Sequence, residues 1–180
     1  MTKETFEKLQ KKFGKYGSWT IWDDDGRTES DTSGMEWAEK IAVSKLNTKF
    51  VFVGLNWSVN EANPNCGKPW WNFHGGKNDY KLRFALKDSD FWGCYMTDLV
   101  KDCEEPDSSK VVVDDKSLKI FREEITLIGK PVLIALGRKV ESALKKNFGD
   151  EFEIVEIEHY ANYGSKEDYK KSVMDVLKKI

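Results

Sequence analysis

From Lys49 onward, short apolar runs alternate with amphipathic segments, the pattern of repeated strand–helix units. Apolar runs at 50–55, 94–98, 131–136 and 152–158 predict four strands, with helices between them and after the last. Leu118, Phe121, Ile125 and Ile128 are spaced three, four and three apart, which places them on one helical face. Val140, Ala143 and Leu144 follow Gly137 in the same manner. Ser165, with Asp168 three residues on, resembles a capping box. Behind it Tyr169, Val173, Val176, Leu177 and Ile180 form one stripe.

The first 48 residues read as an added layer on the same domain. Phe6, Leu9 and Phe13 predict one helix, and Met35, Ala38, Ile41 and Ala42 a second. Between them Ser18-Trp19-Thr20-Ile21-Trp22 predicts an edge strand ahead of the acidic turn Asp23-Asp24-Asp25-Gly26. No stretch has the composition of an interdomain linker, and no repeat or low-complexity tract occurs. The expectation is a single domain over 1–180, with an extra layer at 1–48 and an α/β core at 49–180.

Composition narrows the classes. No apolar stretch approaches the ~20 residues that cross a bilayer. The N-terminal residues lack the apolar core of a signal peptide, so no membrane association and a cytoplasmic location are expected. The net charge of −2 argues against tight nonspecific binding to long nucleic acid. Charge is uneven, however. Between Glu61 and Lys87 five cations face two carboxylates, predicting a modest basic lip. Cys66, Cys94 and Cys103 are an odd set without a Cys-x-x-Cys pair, so neither a disulfide framework nor a metal site is expected. Cys94 reads as a small apolar residue within a strand. Phosphate-binding and dinucleotide-binding glycine motifs are absent, and no cofactor is expected.

The only two histidines carry the site expectation. His74 lies in the loop after the first core strand, and His159 opens the loop after the last. If both strands belong to one parallel sheet, both histidines are at its carboxyl edge, where open α/β folds bind ligands. The loop from Trp57 to Lys77 is far longer than the ~2–6 residues usual for such a connection. It carries Trp70-Trp71-Asn72-Phe73-His74-Gly75-Gly76. There an aromatic ring can stack on a planar ligand, and the glycines let main-chain N–H groups approach an anion. The same aromatics also serve as anchors of a large loop.

Gly54-Leu55-Asn56-Trp57-Ser58 is either a close-approach ligand loop or an ordinary strand terminus. Asp98, ending its strand, is either a ligand-reading carboxylate or a turn cap. Gly137-Arg138-Lys139 starts a helix with two cations that meet either a phosphate or solvent.

Taken together these pieces resemble the uracil-DNA glycosylase superfamily, of which the chain looks like a diverged member. Gly54-Leu55-Asn56-Trp57-Ser58 is similar to the family's first motif, a Gly-x-Asn-Pro-Gly-like or Gly-Gln-Asp-Pro-Tyr-like loop after the first core strand. His159-Tyr160-Ala161 is similar to its second, a His-Pro-Ser-like loop. Val132-Leu133-Ile134-Ala135-Leu136-Gly137-Arg138 is similar to the segment preceding the last strand in those enzymes.

The resemblance covers about Phe50 to Ile180 and implies a three-layer α/β/α sandwich with four parallel strands in the order 2-1-3-4. It implies that Asn56 orients the attacking water and that His159 hydrogen-bonds the departing base. Phe73 would stack on the base, and Asp98 takes the place of the asparagine that reads the base edge. Gly54, His74 and Tyr163 complete the expected substrate-binding set, with Tyr163 the one counterpart to the family's duplex-filling wedge. Trp57 replaces the expected proline, and Tyr160-Ala161 replaces Pro-Ser.

The expected function is recognition of a nucleobase, with hydrolysis of the N-glycosidic bond of a damaged base in DNA. The alternative is an inactive module of the same fold that binds a nucleotide or nucleoside-like small molecule.

Overall fold

The computed structural model describes residues 1–22, 43–57, 67–76, 78–101, 105, 107–162 and 164–180. Five helices and five strands occur among them. In chain order they are α1 (Lys3–Phe13), β1 (Ser18–Trp19), β2 (Asn47–Asn56), α2 (Asp79–Leu86) and β3 (Cys94–Val100), then α3 (Asp115–Ile128), β4 (Val132–Leu136), α4 (Arg138–Phe148), β5 (Ile154–Ile157) and α5 (Lys166–Leu177). The second N-terminal helix expected from Met35, Ala38, Ile41 and Ala42 lies outside the described residues, as do Cys66, Cys103 and Tyr163.

The sheet is α/β in character but differs from the expected four-stranded parallel one. It has five strands in the order β1-β3-β2-β4-β5. β3, β2, β4 and β5 run parallel, and β1 joins the outer edge of β3 antiparallel, pairing Ser18 with Met96 and Trp19 with Tyr95. The N-terminal layer therefore closes a sheet edge that would otherwise expose unpaired backbone groups. The segment 18–22 forms only a two-residue strand, while Trp22 packs into the core.

Alternation along the strands divides the core in two. Val51, Val53, Tyr95, Leu99, Leu133 and Ala135 face a layer containing α1, α3 and α4. Phe50, Phe52, Cys94, Met96, Ile134, Leu136 and Ile157 face α2 and α5. Period-two side-chain direction in strands produces this division. Ser165 caps α5 as its spacing predicts, its Oγ accepting from the Asp168 N–H at 3.0 Å. Tyr169, Val173 and Leu177 form the buried stripe, whereas Ile180 falls beyond the helix and is exposed. Among the described residues no helix is long and apolar enough to cross a membrane.

Beneath the sheet lies a polar cluster that apolar periodicity did not reveal. On α3 the buried face is Phe121, Glu124 and Ile125. Glu124 pairs with Lys101 at 2.7 Å, and both side chains are almost wholly inaccessible. The Tyr95 hydroxyl donates to Glu124 at 2.9 Å, and the Thr97 hydroxyl donates to it at 3.0 Å. Lys101 Nζ also donates to the Asp98 carbonyl at 2.5 Å. A buried charge pair is tolerable only when its remaining hydrogen-bonding capacity is filled, and here neighbouring groups fill it.

Candidate functional site

Strand register brings Gly54, Asn56, Asp98 and His159 together. Gly54 pairs with Asp98 across β2 and β3, and Leu136 pairs with Ile157 across β4 and β5. Counting by twos, Gly54, Asn56, Asp98 and, beyond Ile157, His159 fall on the α2/α5 side at the carboxyl ends of the strands. There a cavity of about 810 Å³ opens, lined by Gly54, Asn56, Phe73, His74, Asp98 and His159. All the expected site residues within the described part of the chain line it.

Gly54 is required by its neighbours. A Cβ there would stand 2.2 Å from Asp98 Oδ1 and 3.0 Å from Phe73 Cε1. The hydrogen of glycine thus lets a carboxylate and an aromatic ring converge over the strand end. Phe73 adopts φ +63° and Trp70 φ +71°, a left-handed conformation that costs a non-glycine residue about 1–2 kcal/mol. Such strain persists only where surrounding contacts over-determine the backbone.

The N-terminal layer supplies those contacts. Trp70 N–H donates to the Gly14 carbonyl at 2.7 Å. Ser18 Oγ donates to the Trp70 carbonyl at 2.8 Å and lies 2.7 Å from His74 Nε2. Since the serine proton goes to the carbonyl, His74 Nε2–H is the donor in the second bond. His74 is 5% exposed, and this bond ties the loop to β1.

Asn72, which was not among the expected site residues, also lines the cavity. Its Nδ2 donates to the Tyr16 carbonyl at 2.6 Å and to Asp98 Oδ2 at 2.7 Å, and its Oδ1 accepts from Phe73 N–H at 3.1 Å. The sequence placed Asn72 beside Phe73 but offered no sign of Tyr16, the contact that fixes the amide. Burial pushes the Asp98 carboxyl up to about 7, against the lowering effects of Asn72 and Lys101, while Glu124 adds to the rise.

The folded Asp98 carboxyl holds its proton up to about pH 7, the unfolded one only to about pH 4. Folded-state stability therefore falls as pH rises through that interval and levels off above it. Asp98→Asn should be the more stable protein at about pH 8, by an amount on the order of 2–4 kcal/mol, with the gap closing toward about pH 4. Urea denaturation at several pH values measures it. A gap independent of pH would contradict the assignment.

His159 follows β5, and the turn Gly137 abuts it. Gly137 has φ +95°, donates to the Ile157 carbonyl at 2.9 Å, and would place a Cβ 3.7 Å from that of His159. His159 Nδ1 accepts from Ala161 N–H at 3.1 Å, which assigns the ring proton to Nε2. Burial lowers its tendency to protonate, so the ring is a neutral donor at neutral pH. It stacks on Tyr160 at 4.5 Å between centroids. Burial pushes the Tyr160 hydroxyl well above its ordinary value, with Asp79 and Asp98 adding to this.

At the end of β2, Asn56 Nδ2 donates to the Glu105 carbonyl at 2.9 Å, which orients its amide. The two cations expected at the start of α4 diverge in use. Lys139 donates to the Ser108 and Val111 carbonyls, the latter at 3.0 Å, whereas Arg138 is exposed on the cavity rim. The expected basic lip is weaker than its composition suggests, because Lys81 and Arg83 are buried. Lys81 Nζ reaches the Asn162 carbonyl at 2.9 Å.

Among the described residues no cluster of three or more His, Cys, Asp or Glu side chains could hold a metal ion. Cys94 is buried, and burial pushes its thiol up to about 12, the behaviour of an inert packing residue. No protein-family model matches the chain, and no curated protein matches it either.

Proposed function

We propose that the cavity receives a nucleobase and that the protein is a diverged glycosylase-like enzyme hydrolysing the N-glycosidic bond of an altered base in DNA. One observation carries this reading: the Gly54, Phe73 and Asp98 arrangement, a flat aromatic surface with a polar reading group at its edge. A planar ring stacks on Phe73, its edge meets Asp98, and the neutral His159 Nε2–H supplies a donor to a base leaving with negative charge. Asn56, held through Glu105, positions water for attack at the sugar carbon. The α/β architecture, with β3, β2, β4 and β5 parallel and the cavity at their carboxyl ends, is compatible with the same reading.

The net charge of −2 favours a second reading, a nucleotide- or nucleoside-binding module without turnover. Both require a base in the cavity. Trp57 and Trp71 line it, so tryptophan fluorescence can follow a titration with free bases. Saturable binding is expected, weakened about tenfold or more in Phe73→Ala, because stacking contributes about 1–3 kcal/mol per base. Absence of saturable binding, or full affinity in that variant, would overturn the base-pocket reading.

A further inference from the structure

We propose that Asp98 Oδ1 selects bases carrying an exocyclic amino group over their oxo counterparts. This rests on the nucleobase reading and names the class of base. Both hydrogens of Asn72 Nδ2 are committed, one to Tyr16 and one to Asp98 Oδ2, and its Oδ1 is held by Phe73 N–H. The amide cannot turn over, so it holds the Asp98 carboxyl in one orientation. The other oxygen, Oδ1, lies over Gly54, where a Cβ would come within 2.2 Å of it. The same Cβ would come within 3.0 Å of Phe73 Cε1, so the edge of that ring lies beside Oδ1 and a base stacked on it would reach that oxygen.

An ionised carboxylate accepts hydrogen bonds and donates none. An amino group offers it N–H. A uracil-type edge offers a single N–H set between two carbonyl oxygens, and both carbonyls are repelled. The charge on Asp98 answers to several elements around it. Lys101 at the end of β3 favours ionisation, and Glu124 on α3 opposes it. Tyr160 after β5, which also feels Asp79 of α2, is neutral and adds no charge, as is His159. When the carboxyl gains its proton, Oδ1 can donate to a carbonyl, and the discrimination should fade. Amino-base affinity should thus rise with pH through about 7, and oxo-base affinity should fall.

The probes are 1-methylcytosine and 1-methyluracil, whose N1 is blocked as it is in a nucleoside. Each is titrated into the native protein and Asp98→Asn at about pH 6 and about pH 8. The native protein is expected to prefer 1-methylcytosine about tenfold or more at the higher pH, with the preference shrinking at the lower. Asp98→Asn should lose both the preference and its pH dependence. The native pH profile tests the inference independently of that variant. Binding of both probes with a preference unmoved by pH and by the substitution would overturn the selection by Asp98 and leave the base pocket standing. Binding of neither probe would overturn the base pocket and this inference with it.

Discussion

Glu124→Ala is expected to lower the free energy of unfolding by about 3–5 kcal/mol, the cost of leaving a buried charge without its partner. Lys101 Nζ would retain the Thr97 hydroxyl at 3.2 Å and the Asp98 carbonyl, but lose its ion-pair partner. The Tyr95 hydroxyl would lose its acceptor as well. A double variant, Lys101→Met with Glu124→Leu, should recover much of the loss, because apolar replacements of similar volume carry no desolvation penalty. Urea denaturation of the three proteins at neutral pH checks this. A loss below about 1 kcal/mol for Glu124→Ala would mean that the pair is reached by solvent.

Asn56→Ala and His159→Ala should each lower the rate of base release by a factor on the order of 10²–10³, as for loss of one oxyanion donor. Asn56 acts on the attacking water and His159 on the departing base, both chiefly in the transition state, so affinity for a free base should change far less. Phe73→Ala should show the opposite pattern, with affinity lost first. Single-turnover kinetics and equilibrium titration on the same variants separate these effects. Equal losses of rate and affinity in His159→Ala would place the histidine in ground-state binding instead.

The positions of Gly54, Asn56, Asp98 and His159 were legible because strands carry their own signal. Apolar runs fix where each strand lies, and period-two alternation fixes which side chains share a face. Phe73 was legible from its company, a loop of aromatic and polar residues too long for a simple connection.

Three features lay beyond that signal. Ser18–Trp19 is too short a strand for its pairing with β3 to be read from pattern, so the sheet gains an antiparallel fifth strand. Glu124 sits within an apolar helical face and is explained by Lys101, Tyr95 and Thr97, distant partners on β3 and just after it that no local spacing announces. The roles of Asn72 and His74 depend on Tyr16 and Ser18 across the sheet edge, contacts that exist only once the N-terminal layer is in place. That layer, which the sequence presents as an addition, holds the loop that forms one wall of the cavity.

Base release from a panel of modified bases placed in single- and double-stranded DNA, followed under single-turnover conditions, separates hydrolysis from binding alone. The native protein is expected to release at least one base and leave an abasic site, and Asn56→Ala and His159→Ala to do so on the order of 10²–10³ times more slowly. No release from any member of the panel by a protein that still binds the free base would contradict hydrolysis and leave a nucleobase-binding module in its place.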